Sequence, residues 1–238
     1  MSEASGHVLL VTGASGALGS ALVQRLSTTG RVVALERSKD GRVALERASE
    51  NVLRLRADAT SAEALRAALT EAEAEHGALT GAVLTAGAWR GGHAFHEPEA
   101  AADYRAVMVA NLETAQVALR ALLGGMVARK RGSIVLIGSR SGVRPFSASG
   151  DAAYAATKAA LTALTQTIAA EVLEHGVRLN LVMPSTIDTA ANRQAMPGAD
   201  TSQWVTTDSL GDVIEFLLSE KSRDVSGAAL PVFGKSGV

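Results

Sequence analysis

The sequence predicts an α/β fold: a doubly wound, mostly parallel seven-stranded sheet with helices on both faces, made by one domain over residues 1–238. Three observations carry this. Strand-like and helix-like stretches alternate to the end of the chain, an order that implies right-handed crossovers between parallel strands. The strands read as continuous apolar runs, as strands covered on both faces do. No linker or repeat divides the 238 residues, a length at which one α/β domain buries a sizeable core.

The elements follow in order. Val8 to Val11 form the first strand, and Gly13, Gly16 and Gly19 come directly after it. Leu18, Leu22 and Leu26 then share a helical face, with Ala21 beside them. A strand that feeds a helix through glycines aims free N–H groups and the positive helix end at one point, a ready site for a pyrophosphate. The spacing is not G-x-G-x-x-G, so a tight turn that binds nothing stays open on this stretch alone. No G-K-[ST] follows, which excludes a P-loop. A hydrolase elbow around Ser15 fails because Ala17 stands where its last glycine belongs. Arg31 to Glu36 is the second strand and Val52 to Leu55 the third, closing at Asp58. Thr60-Ser61-Ala62-Glu63 has capping-box spacing and opens a helix with Leu65, Ala68, Leu69 and Ala72 on one face. Gly81 to Thr85 is the fourth strand, ending in Ala86-Gly87. A loop with Gly91, Gly92 and Pro98 precedes a helix from about Ala101 to Arg129. Ser133 to Ile137 is the fifth strand, and a helix runs from about Ala152 to His175. Val177 to Met183 is the sixth strand, halted by Pro184. Asp208 to Leu218 is a short helix and Ala228 to Phe233 the last strand. Residues 188–207 are polar, contain Pro197 and Gly198, and read as a mobile substrate flap.

Composition removes several functions. A net charge of −1 gives no field to draw nucleic acid or an anionic membrane. The absence of cysteine removes disulfides, thiolate metal sites and cysteine nucleophiles. The first residues lack a signal-peptide pattern, and no apolar run approaches the ~20 residues of a membrane span. A soluble cytoplasmic protein is expected. Aromatic residues make up only 3%, so the core must rest on Val, Leu, Ile and Ala. His93 and His96 with Glu97 lie in a Gly/Pro loop without a clear third ligand, so a surface loop and no metal site is expected.

In such sheets ligands bind beyond the carboxyl ends of the strands. Gly13, Glu36, Asp58, Ala86, Gly87, Ser139 and Ser185 stand at those ends and should line one crevice. Tyr154 and Lys158 are four apart on a predicted helix, so phenol and ammonium are neighbours. A phenol of pKa ~10 is a poor base at neutral pH, and an adjacent ammonium is expected to lower it. Ser139, ending a strand beside this helix, can hold a substrate oxygen.

These residues together resemble the short-chain dehydrogenase/reductase family over nearly the whole chain. Thr12-Gly13-Ala14-Ser15-Gly16-Ala17-Leu18-Gly19 is similar to its T-G-x-x-x-G-x-G turn, with Ala17 for the middle glycine. Thr85-Ala86-Gly87 is similar to its N-A-G, with Thr85 for the asparagine. Asn111, Ser139, Tyr154 and Lys158 match its catalytic tetrad, and Pro184 to Thr189 its P-G-x-x-x-T segment, with Ser185 for glycine. The resemblance implies a Rossmann-type nicotinamide-binding fold. It makes Tyr154 the proton donor or acceptor, Lys158 its modulator and a ribose contact, and Ser139 the holder of the substrate oxygen. Asn111 would distort its helix and hold a water that relays protons to Lys158. Cofactor contacts are expected from Gly13, Ser15, Gly16, Ala17, Leu18, Gly19, Glu36, Arg37, Asp58, Ala59, Ala86, Gly87, Pro184, Ile187 and Thr189, besides Tyr154 and Lys158.

Glu36 can accept from both ribose hydroxyls and repel a 2′-phosphate, which points to NAD, whereas Arg37 could pair with that phosphate, leaving NADP open. Trp89 and Trp204, with Ser139 and Tyr154, are the expected substrate contacts. The segment from Asp188 to Trp204 resembles dihydropteridine reductases, so reduction of a quinonoid pteridine is the alternative substrate reading. A non-catalytic dinucleotide sensor and a serine hydrolase using Ser15 are the readings from other classes. The alanine- and threonine-rich helix from Ala153 to Ala170 suggests packing against a copy of itself, as a homodimer or homotetramer.

Overall fold

The computed structural model describes residues 6–37 and 47–236, residues 47–49 by their backbone alone. All seven expected strands form. They are β1 (Val8–Thr12), β2 (Arg31–Arg37), β4 (Val52–Ala57), β5 (Gly81–Leu84), β6 (Gly132–Ile137), β7 (Val177–Pro184) and β8 (Ala229–Val232). An eighth, β3 (Arg47–Ser49), pairs antiparallel on the outer edge of β4. Its three residues, Arg-Ala-Ser, hold no apolar run by which a strand could be read. The order is β3-β4-β2-β1-β5-β6-β7-β8, and every pair but β3–β4 is parallel. β1 therefore has β2 on one side and β5 on the other, and the chain switches direction of growth there.

Alternation along the strands builds two cores. Val32 and Ala34 face one side, with Val11, Val83 and Val182, under α1 (Ala17–Leu26) and α8 (Thr207–Leu218). Val33 and Leu35 face the other, with Leu10, Ile134 and Leu181. There they meet α2 (Ala62–His76), α4 (Thr114–Arg129) and α6 (Ala152–Val172). The helix before α4, α3 (Pro98–Val107), joins it through a π-turn over Met108–Glu113.

Residues 98–129 thus make one helical run that is long and apolar enough, by length and composition, to cross a membrane, against the expectation that no such run exists. Here its buried face serves the core: Ala115, Ala118, Leu119, Leu122 and Met126 pack against the sheet. The cap of α2 also differs from expectation. Ser61, not Thr60, accepts from the Ala64 N–H, because the Thr60 hydroxyl is spent on Asp58. Residues 188–207 hold more structure than their weak periodicity suggests. They contain α7 (Ala190–Ala195), a bridge pairs Ile187 with Val205, and Arg193 grips Asp188 through two bonds of 2.6 and 2.7 Å. Between β6 and α6 lies the one-turn helix α5 (Arg140–Val143).

Candidate active site

The parallel register brings the carboxyl ends of the strands to one edge. Thr12 pairs with Leu35 and with Leu84, and Ile137 with Val182. Gly13 leaves β1 with φ +64°, and a Cβ there would stand 2.9 Å from the Ala86 backbone. Only glycine lets the two strand ends approach this closely. Gly16 is the N-cap of α1 and offers no side-chain cap. The first N–H groups of that helix have no intrahelical acceptor, and the helix dipole adds positive charge at the same point. Ser15, Gly16 and Ala17 are exposed there, while Leu18 and Gly19 are buried beneath. This cradle has the room and the donors that a pyrophosphate needs.

Thr85 replaces the expected asparagine and has work of its own. Its hydroxyl donates to the Thr12 carbonyl at 2.5 Å, and the Thr12 hydroxyl accepts from the Ala86 N–H at 3.2 Å. The two strand ends are stitched from both sides by this pair of bonds. Asp58 closes β4 and accepts from the Thr60 N–H and hydroxyl, both through Oδ1, which holds its carboxyl below the usual range. Ala59 is half-buried beside it.

The catalytic candidates converge next to this cradle. The π-turn buries Asn111 at 1% exposure. Its amide bonds Ala88 at both ends, accepting from the N–H and donating to the carbonyl, each at 2.9 Å. It also donates to Thr157 on α6 at 3.3 Å. A Cβ on Gly87 would meet Asn111 Oδ1 at 2.6 Å and Lys158 Nζ at 3.8 Å, so these three residues surround one point. Lys158 Nζ donates to the Ile137 carbonyl at 2.9 Å and lies 5.6 Å from the centre of the Tyr154 ring. Burial pushes this ammonium down to about 8. Ser139 is the N-cap of α5, and its hydroxyl accepts from the Ser141 N–H at 3.2 Å.

The Tyr154 phenol is pushed up from its ordinary value, first by burial and also by Asp151, while a hydrogen bond with Ser139 works the other way. This corrects the expected lowering by Lys158. The loss of hydration sets the direction, and the Lys158 ammonium, buried and donating to the Ile137 carbonyl, does not lower the phenol here.

The substrate side is less closed. Trp89 is 59% exposed, so it does not wall the site, and Trp204 is half-buried. Pro184 ends β7 opposite Val232. The Ile187 carbonyl accepts from Asn192, and the Thr189 hydroxyl is occupied in capping α7, accepting from the Asn192 N–H. A cavity of about 530 Å³ opens on the flank of α6, lined by His93, Phe95, Pro145, Ala156 and Ala159 among others, and not between Ser139 and Tyr154. Its lining is mostly apolar, with His93 and Ser149 as the polar side chains, and lacks the convergence of Asn111, Lys158 and Gly87 found in the strand-end crevice, which remains the better candidate for chemistry. His93 is engaged by Asp103 at 2.7 Å.

Residues 7–199 match the short chain dehydrogenase family model. The chain belongs to the short-chain dehydrogenase family. Members of that family are oxidoreductases that use a nicotinamide cofactor. This short-chain dehydrogenase is 35% identical over 153 residues to 2-(S)-hydroxypropyl-CoM dehydrogenase 3 of Xanthobacter autotrophicus, covering 58% of this chain and 59% of that protein. It is 35% identical over 141 residues to galactitol 2-dehydrogenase of Rhizobium johnstonii, covering 55% of each. The chain thus aligns with little more than half the length of these curated relatives. A solved oxidoreductase of the short chain dehydrogenase/reductase family from Burkholderia thailandensis superposes with a TM-score of 0.80 at 32% identity, covering 96% of this chain and 91% of that one. Neither named relative is a pteridine reductase, so the likeness of residues 188–204 to that branch finds no support in them.

Proposed function

We propose that this short-chain dehydrogenase transfers hydride between NAD(H) and a small carbonyl or secondary alcohol, with Tyr154 as the general acid–base. The observation that carries the reading is the convergence of Asn111, Lys158 and Gly87 on one point, beside a helix N-terminus that no side chain caps. The names of two relatives, both dehydrogenases of hydroxyl-bearing compounds, support an alcohol or ketone over a pteridine.

The residues divide the work. Backbone N–H groups from Gly13 to Gly19, with Ser15, Gly16, Ala17 and Leu18 between, hold the pyrophosphate. Glu36 accepts from the adenosine ribose, with Arg37 at its flank, and Asp58 and Ala59 border the adenine. Ala86, Gly87, Pro184, Ile187 and Thr189 line the nicotinamide end. The bound nicotinamide supplies or takes the hydride. Ser139 donates to the substrate oxygen and fixes it beside the phenol. In reduction the Tyr154 hydroxyl gives its proton to that oxygen, and its raised pKa keeps the proton available at neutral pH. Lys158 stands behind the phenol and replaces the proton. Asn111 keeps the Ala88 backbone and α6 in register, so that Lys158 faces Gly87. Trp89 and Trp204 border the substrate from loop and flap.

The enzyme is soluble and cytoplasmic, and it associates with copies of itself along α6. There the exposed Phe95 lines one cavity with the small side chains Ala156 and Ala159. The test of the function is a screen of purified protein with NADH, NADPH, NAD⁺ and NADP⁺ against ketones, secondary alcohols and a quinonoid pterin. Turnover of a ketone or secondary alcohol supports the reading. Turnover of the pterin alone, or coenzyme binding with no turnover of any compound, overturns it.

A further inference from the structure

β4 reads Leu53-Arg54-Leu55-Arg56, and the alternation splits it between two faces. Leu53 and Leu55 enter the core. Arg54 and Arg56 point the other way, onto the face that Ala34 and Glu36 share on the neighbouring strand, where Ala34 pairs with Arg54 and Glu36 with Arg56. Arg54 lies 3.7 Å from Glu36 Oε1 and Arg56 3.6 Å from Oε2. The carboxylate is only 15% exposed, while both arginines are about half-exposed. Each contact is longer than a hydrogen bond, so the guanidinium groups hold Glu36 by charge and leave its lone pairs open to other donors. Arg37 follows at the end of the strand and is exposed. Asp58, the other acid at this corner, already spends Oδ1 on Thr60.

A lone carboxylate at this position would repel a phosphate. A carboxylate set between two guanidinium groups occupies the place of an anion they could hold instead, since a guanidinium fork suits phosphate as well as carboxylate. We propose that Arg54 and Arg56 form an anion cradle that Glu36 fills, and that the cradle grips the 2′-phosphate of a phosphorylated coenzyme when the carboxylate is removed or turned aside. This rests on the dinucleotide reading above. With a non-phosphorylated coenzyme the two arginines act through Glu36 as positioning residues. With a phosphorylated one they are direct contacts.

The test uses the full chain and two coenzyme fragments, 2′,5′-ADP and 5′-AMP, titrated by calorimetry. Glu36→Gln should bind 2′,5′-ADP about tenfold more tightly than the unaltered protein. Adding Arg54→Gln and Arg56→Gln should erase that gain and leave 5′-AMP within about threefold of its affinity for Glu36→Gln alone. The gain should also shrink with added salt, as exposed charge pairs do. A triple variant that holds 2′,5′-ADP as tightly as Glu36→Gln alone overturns the cradle. So does a triple variant that loses 5′-AMP equally, since the arginines would then only support the strand. If the unaltered protein binds neither fragment and no NADH, the dinucleotide reading itself fails and the cradle falls with it.

Discussion

At the β1–β5 edge the crevice is walled by backbone, with Gly13 against Ala86, the Thr85 hydroxyl donating to the Thr12 carbonyl, and the Ala86 N–H donating to the Thr12 hydroxyl. At the β6–β7 edge it is bordered by side chains at the ends of the strands: Ser139, the N-cap of α5, and Ser185, whose hydroxyl donates to the Phe233 carbonyl. The first wall tolerates almost no change of size, and its form follows from strand pairing. The second can change residue by residue while the strands stay where they are. A shared coenzyme suits the first and a variable substrate the second.

The strongest way to break this contrast is Gly13→Ala. A methyl group 2.9 Å from the Ala86 backbone, at φ +64°, should cost about 2–4 kcal/mol of stability and abolish NADH binding. Denaturant melts read the first effect and fluorescence titration the second. An unshifted melt would mean that the backbone wall is not tight.

Lys158 sharpens the contrast, because it is an amine buried beside Gly87 and Asn111. Its folded value of about 8 lies below the ordinary 10.5, so between the two the unfolded chain binds more protons. The stability owed to this group therefore rises with pH across that window, and below it the full cost, about 3 kcal/mol, is present. Lys158→Met should gain on the unaltered protein near neutrality, and the gap should close toward pH 10.5. Urea melts at the two pH values test this, and a gap independent of pH would contradict the burial of a charged amine.

The smallest effect belongs to the loop after β5. Asp103 raises the His93 imidazole above its ordinary value. The tie is therefore fully present below pH 6.5 and lost as pH rises through the higher folded value. NMR titration should show His93 above 6.5, and Asp103→Asn should return it to the ordinary range. No change on that substitution would detach the loop from α3.

The two walls were not equally legible in the sequence. Apolar runs ending at Gly13, Glu36, Asp58, Ala86 and Ser139 sufficed to place those residues on one edge, because parallel strands leave no other arrangement. Tyr154 and Lys158 followed from helical spacing. The pKa direction of Tyr154 did not, since pattern reveals neighbours and not the depth at which they are buried. The Arg54–Glu36–Arg56 cluster was within reach, as the polar beat of Leu-Arg-Leu-Arg marks an outward face, but its partner across the sheet depends on a register the sequence does not print. β3 and the cap on Ser61 escaped for a plainer reason: three residues without apolar pattern, and two adjacent hydroxyls of which either could cap.

The central claim is that the Tyr154 phenol delivers the proton while backbone and Lys158 hold the coenzyme. The direct measurement is Tyr154→Phe, with NADH affinity and turnover read on the same preparation. The account predicts NADH affinity within about threefold of the unaltered protein and turnover lower by about 10²–10⁴-fold. Turnover that survives the loss of the hydroxyl would contradict it.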